Sequence, residues 1–352
     1  MQKLLFLLIF SLSICRGQTI GGNSVYNFLK LPNTPQLTGL GGINISNISD
    51  DIGMSFNNPA LLRAVMHTQL TTVFNSMYAG IKNYHLMLGY RNEGLQTNFA
   101  IGIHYLNYGS IPQTDAAGNI LGSFRPGDYV VQLSASRMYM SKWHYGTSLK
   151  FINSNYGLYR SNGIALDAGL SWYDSIKFFQ ASLVMKNMGV QLKKYEGTTG
   201  DDLPFDIELG ITKRLAKAPI QFSLTAHHLH QFDILYNDTA FNNDNGFSQK
   251  KKSGLAVEKV FRHFIFATQF FVGDKVEITA AYNHLRRSEL DISNTTNGLN
   301  GFSLGLGMLF RKLQIRYSRA YYQNNTAYNQ FGLNIKLNEY FGLGNFGQRV
   351  GW

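Results

Sequence analysis

From about residue 68 onward the chain repeats one rhythm, in which apolar residues alternate with small or polar ones between clusters of Gly, Asn, Asp and Ser. In the stretch 301–310, Phe302, Leu304, Leu306, Met308 and Phe310 fall on one side, and Ser303, Gly305 and Gly307 on the other. A strand produces this pattern because its successive side chains point to opposite faces. Phe99, Ile101, Ile103 and Tyr105 alternate in the same way with Asn98, Ala100, Gly102 and His104, as do Phe222, Leu224 and Ala226 with Ser223, Thr225 and His227. A helical period would carry these Ser, Gly and Asn residues into the apolar stripe. Segments apolar on one side and small or polar on the other are the pattern of a barrel with lipid outside and a lumen inside.

The rhythm predicts strands over 68–77, 84–90, 96–108, 128–139, 143–156, 163–173, 178–186, 205–215, 220–228, 254–260, 264–272, 276–284, 301–310, 313–319 and 328–337. A single-chain bacterial barrel takes an even number of strands. The expectation is therefore about fourteen with one segment spurious, or sixteen with one missed. Tight links at Ala216–Pro219, Arg262-His263, Gly273–Lys275 and Arg311-Lys312 read as periplasmic, and long polar links over 107–127, 191–204, 229–253 and 285–300 as extracellular. The fold class expected is all-β, a transmembrane antiparallel barrel over 67–337.

Two regions break the rhythm. Residues 18–66 are apolar but irregular, and Asn58, Pro59 and Ala60 open a run, continued by Leu61 and Leu62, that reads as a helix start with Pro in its first turn. A segment of this size ahead of a barrel is expected as a hatch that plugs the lumen. Residues 338–352 form a Gly-rich aromatic tail without alternation.

The N-terminus adds a compartment. Lys3 precedes an apolar run over 4–14, and Cys15-Arg16-Gly17 places small residues at the −3 and −1 positions before Gln18, so residues 1–17 read as a cleaved signal peptide. Lipidation at Cys15 is the competing reading, disfavoured by the bulky Ile14 before it. Cys15 is the sole cysteine, so cleavage excludes disulfides, zinc thiolates and thiol nucleophiles together. After residue 14 no stretch approaches the roughly 18 to 20 apolar residues of a transmembrane helix, which leaves a closed barrel as the spanning structure.

Composition agrees. Aromatics make up 14% and charged residues 15%, against about 25% charged in ordinary soluble domains. Removing Lys3 and Arg16 lowers the net charge from +11 to +9. No basic helical stripe or zinc-finger spacing points to nucleic acid, so exposed Lys and Arg are read toward outer-membrane lipid and lipopolysaccharide phosphate, or an acidic protein face.

Little in the chain reads as catalytic. Ser248-Gln249-Lys250-Lys251 matches the S-x-x-K of serine acyltransferases and Lys252-Ser253-Gly254 imitates their K-T-G, but the two abut inside one lysine-rich link, whereas the enzymes need them on separate converging elements. His227, His228 and His230 resemble a metal cluster, yet on a strand only His228 and His230 share a face. No carboxylate stands at a third ligand spacing unless the chain turns back at Asp233. The pairs Asp50-Asp51 and Asp201-Asp202 read as solvated loop charge. No enzyme activity, cofactor or metal is expected. Lys250, Lys251, Lys252, Arg286 and Arg287 in the long links are read either as solvated charge or, with Tyr108, Phe124 and Arg125, as a surface that binds a partner.

The stretches Gly22–Leu29, Leu31-Pro32-Asn33, Thr38–Gly42 and Asn57–Leu62, and the ending Phe331–Leu337, resemble the PorQ family of outer-membrane components of the Bacteroidota type IX secretion system, over nearly the whole mature chain. The run from Asn58 to Leu62 also resembles the wider FadL-type barrels, which include the PorV-like proteins. The resemblance implies fourteen strands and an N-terminal hatch. It further implies a non-catalytic membrane anchor for a PorZ-like surface protein, in an attachment complex with PorU-like and PorV-like members that joins exported cargo to anionic lipopolysaccharide. The alternative that FadL-type barrels imply is a transporter of hydrophobic small molecules, with an apolar pocket between hatch and wall and a lateral opening.

Overall fold

A computed structural model describes residues 24–234, 256–290, 298–323 and 326–341. Its strands are β1 (Gln69–Ser76), β2 (Lys82–Asn92), β3 (Thr97–Asn107), β4 (Ile111–Thr114), β5 (Ile120–Phe124), β6 (Gly127–Tyr139), β7 (Trp143–Tyr156), β8 (Tyr159–Asp174), β9 (Phe179–Lys193), β10 (Asp206–Arg214), β11 (Ile220–Ala226), β12 (Phe264–Val272), β13 (Val276–Asn283), β14 (Phe302–Leu309), β15 (Leu313–Gln323) and β16 (Thr326–Lys336). Fourteen of them form one closed barrel, while β4 and β5 pair only with each other. Neighbours in the wall run antiparallel, and β1 closes on β16 with Gln69 opposite Lys336. Closure leaves no unpaired edge, which is what a strand wall needs in hydrocarbon.

The alternation seen in the sequence becomes the two faces of the wall. Leu86, Leu88, Ile101, Ile103, Leu304 and Leu306 are exposed on the outside, and Met87, Ala100, Gln132, Ser303 and Ser318 are buried inside. The outer face is a continuous apolar surface, suited to lipid. The inner face is small because it seats residues 24–66. That segment is built of short 3₁₀ turns and one α-helical turn, α1 (Pro35–Gly39), capped by the Thr34 hydroxyl. The remaining short helices are α2 (Ala256–Phe261), α3 (His284–Leu290) and α4 (Asn338–Phe341). No helix among the described residues is long and apolar enough to cross a membrane.

Several expectations are corrected. The segment 254–260 is no strand: 256–261 is the helix α2, so the fifteen candidate strands reduce to the fourteen of the wall. Val257, Val260 and Phe261 stand at helical spacing, and Arg262 pairs with Glu258 one turn away at 2.7 Å. Arg262-His263 therefore joins a helix to β12 at the long-loop end and is not a periplasmic turn. Strand β9 runs on past its expected end at Lys186 because Lys186 and Asn187 are both buried, a bulge that shifts the pairing between Leu166 and Ala168 on β8. The bulge moves the period of two by one residue, so the alternation read from sequence stops there. In the link 107–127 the sequence showed only a loop, and the structure forms the hairpin β4–β5. The signal peptide 1–17 and residues 342–352 of the tail lie outside the described residues.

Candidate functional site in the barrel lumen

The site is the contact between the hatch, residues 24–66, and the inner wall. Asn58 fixes it at one point. Its Oδ1 accepts the Ala60 N–H at 2.9 Å, capping the single 3₁₀ turn Pro59–Leu61, while its Nδ2 donates to Ile45 O at 2.7 Å and to Ser171 Oγ on β8 at 3.3 Å. The expected helix start is this one turn. Its backbone reaches the wall only because glycine stands opposite: a Cβ on Gly146 would lie 2.7 Å from the Pro59 carbonyl, and one on Gly169 would collide with Asn58 Oδ1. The small residues of the inner face are thus the seat of the hatch.

Toward β10–β16 the hatch is held mainly by polar groups. Arg316 on β15 reaches Asp51 of the hatch and Glu277 of β13, each at 3.5 Å, with all three side chains almost fully buried. Gln36 and Gln269 both donate to Glu277 Oε1, at 3.2 and 2.6 Å. Thr38 donates to Gln330 at 2.6 Å, Ser46 bonds Thr212 at 2.9 Å, and Gln221 donates to Asn47 at 2.6 Å. A smaller apolar cluster of Leu37, Leu40, Met54 and Leu61 lies among them, against Ala267 and Ala281. At the β9 bulge Lys186 bridges Glu208 at 3.3 Å and Asn57 at 3.2 Å, and across on β7 and β8, beside Phe56, Lys150 pairs with Asp167 at 2.6 Å. In each of these pairs the buried ion has its counter-ion, the condition under which charge is tolerated away from water.

Toward β2, β3, β6, β7 and β8 the contact is mainly apolar, pinned by Gln132 Nε2 donating to Phe56 O at 3.2 Å and Asn98 Nδ2 to Leu62 O at 3.3 Å. Tyr26, Phe28, Ile52, Phe56, Leu62 and Met66 of the hatch pack on Met87, Ala100, Leu106, Val130, Ile152 and Ala165 of the wall. Two imidazoles line this seam. His85 stands edge-on to Phe56 at 4.9 Å between ring centres and accepts from Asn33 Nδ2 at 3.0 Å, and His104 stacks on Phe28 at 6.4 Å. Neither His104 nitrogen has a hydrogen-bond partner among the described residues.

The residues expected to face a partner are distributed differently. Arg125 is exposed beside the β4–β5 hairpin, and Phe124 on that hairpin covers Gly157 in the β7–β8 turn. Tyr108 donates to Asp128 at 2.6 Å, and burial pushes its phenol well above the usual range, so it serves the rim as a donor. Arg286 is turned inward. It is buried, donates to Gly41 O at 2.8 Å and Tyr322 Oη at 2.9 Å, and lies 3.9 Å over the Tyr322 ring, so it clasps the hatch. Arg287 donates to the carbonyls of Gly298 and Asn300 at 3.1 and 3.2 Å. Lys250, Lys251 and Lys252 lie outside the described residues.

The histidine cluster is also corrected. Asp233 bonds Lys259 at 2.7 Å instead of the histidines, but the neighbouring strand brings Asp206 against them. This carboxylate lies 22 residues from His228, with no local signal in sequence.

Among solved structures, the toluene transporter TbuX of Ralstonia pickettii is similar, with a TM-score of 0.50 and 12% identity over 88% of this chain and 98% of that one. The likeness is one of fold, a closed antiparallel β-barrel. A deletion mutant of the monoaromatic hydrocarbon channel TodX (TM-score 0.48, 10% identity, 86% and 98% covered) and a FadL homologue of Pseudomonas aeruginosa (0.42, 11%, 86% and 97%) also align. No protein-family model and no curated protein sequence matches the chain.

Proposed function

We propose that this FadL-like barrel resides in the outer membrane of a Gram-negative bacterium and passes hydrophobic small molecules between its hatch and its wall. The observation that carries the reading is the apolar seam around Phe28, Phe56, Met87 and Ile152. Such packing is non-directional, so a greasy solute can replace one apolar neighbour with another at little cost. The polar contacts on the other side hold the hatch while the seam parts. The likeness in fold to a toluene transporter supports the same chemical class. The passage needs no covalent step, and we assign no catalytic residue.

The test is uptake of labelled toluene and labelled oleate by cells lacking the protein, with a small sugar as control. Loss of hydrocarbon or fatty-acid uptake with unchanged sugar uptake is expected. Normal uptake of both apolar probes would overturn the reading.

One observation favours a second reading, a scaffold that holds a PorZ-like surface protein. Ile120 and Leu121 on the β4–β5 hairpin are 72% and 66% exposed, next to Arg125. Exposed apolar residues grouped with a cation suit a protein partner. Deleting residues 111–124 should release that partner from the cell surface; its full retention would sink this reading.

A further inference from the structure

The mouth of the lumen carries a second cluster that the passage of solutes does not use. Strand β10 begins at Asp206, and β11 ends at Ala226, opposite Leu209. The chain then turns back over Asp206. His228 adopts a left-handed backbone with φ 55°, and its N–H donates to Asp206 Oδ1 at 2.7 Å. A non-glycine residue in this region is uncommon and is held there by its surroundings.

The turn points ligating atoms at one another. His228 Nδ1 lies 3.5 Å from Asp206 Oδ2, and His227 Nδ1 lies 2.6 Å from His228 Nδ1. One such atom from each of Asp206, His227 and His228 falls within 4.8 Å of the other two. His230 adds a fourth donor, its Nδ1 3.8 Å from Asp206 Oδ1. The backbone behind them is braced: the His227 N–H donates to the His263 carbonyl at 3.0 Å, and His263 Nδ1 donates to the His227 carbonyl at 2.8 Å.

We propose that Asp206, His227 and His228, with His230 completing the set, bind a first-row divalent transition-metal cation at the rim of the barrel. Imidazole nitrogens beside a single carboxylate suit zinc, copper or nickel, whereas calcium and magnesium take oxygen ligands. Two facing imidazole nitrogens can share only one proton between them, and a cation takes both lone pairs at once. The nearby Lys186 ammonium is occupied by Glu208 at 3.3 Å, which leaves the Asp206 carboxylate for the metal. The His228 and His230 side chains remain 25% and 21% exposed, an entry path from the lumen mouth. A bound cation would tie the start of β10 to the segment that leaves β11, and so fix the base of the long link to β12.

The test is titration of the full chain, purified in detergent and freed of metal by chelation, with zinc by calorimetry and with cobalt by its visible absorption. Saturable binding at one site, with cobalt bands from nitrogen and oxygen ligands, is expected. D206N and H227Q should each weaken zinc by at least about 100-fold, because losing even a supporting partner behind a ligand costs about 10–100-fold. H284Q, at a half-buried imidazole of the same rim whose Nδ1 bonds Tyr282 Oη at 3.1 Å, should bind as the parent does. Folding of every variant is checked by the retarded or advanced migration of unheated barrel on a denaturing gel. No saturable zinc binding by the parent, or equal affinity in D206N, H227Q and H284Q when all are folded, would overturn the site.

Discussion

The two sides of the hatch differ in what holds them, mainly apolar packing on one and mainly buried charge on the other. Toward β2–β8, Phe28 and Phe56 lie on Met87, Val130 and Ile152, an attachment that scales with area and has no preferred direction. Toward β13–β16, Asp51, Arg316 and Glu277 form a buried charged triad reinforced by Gln36 and Gln269. Charge of this kind tolerates almost no displacement, because an ion left alone in the interior is far costlier than an apolar group that slides. On the proposed route for solutes, the polar side would be the hinge that stays and the apolar side the seam that opens.

The comparison breaks most readily at the triad. Arg316→Ala strands Asp51 and Glu277 and should cost about 3–5 kcal/mol, read as a large fall in thermal melting of the detergent-solubilised barrel. Replacing all three charges together by apolar residues of similar volume should recover most of that loss. A melting point for the single variant equal to the parent's would show that the hatch is not anchored there. Phe56→Ala on the opposite side should cost about 3 kcal/mol but raise the flux of labelled toluene into proteoliposomes, an effect Arg316→Ala should not share if the seam is the route. Equal fluxes in both variants would erase the distinction between the sides.

Smaller perturbations sharpen it. Gly169→Val drives a side chain into Asn58 and should destabilise by about 1–3 kcal/mol, measurable as a lower melting temperature. Asn58→Ala removes the cap of the Pro59 turn and should cost about 1 kcal/mol, with increased protease cleavage between residues 45 and 66 as the readout. Removing the β4–β5 hairpin, which pairs with no wall strand, should change melting by less than about 0.5 kcal/mol. A large loss would mean that the hairpin is part of the barrel's stability and not a surface attachment.

The wall was legible in sequence because each strand obeys a local rule. Strands such as β7, expected over 143–156 and found at Trp143–Tyr156, are bounded where alternation begins and ends. The errors fall where that rule lapses. Residues 256–261 mix helical and strand spacing within a run too short for periodicity to decide, and β9 hides its second half behind the bulge at Lys186 and Asn187. The candidate site was far less legible. Asn58 and Pro59 were visible as a local turn, but no motif or spacing marks Arg316, Glu277 or Lys186, whose partners come from other elements. Arg286, read as a loop cation, is a clasp on Gly41 from 245 residues away.

The order of apolar and polar residues by itself determined that this chain would wall off a lumen with fourteen or sixteen strands, because lipid on one side and a filled interior on the other impose a period of two wherever the chain crosses. What filled that interior was decided only in three dimensions. The partners of Asp51, Asn58, Asp206 and Arg286 come from strands or loops distant in the chain, and no periodicity encodes a contact between a hatch and the strand that happens to close over it.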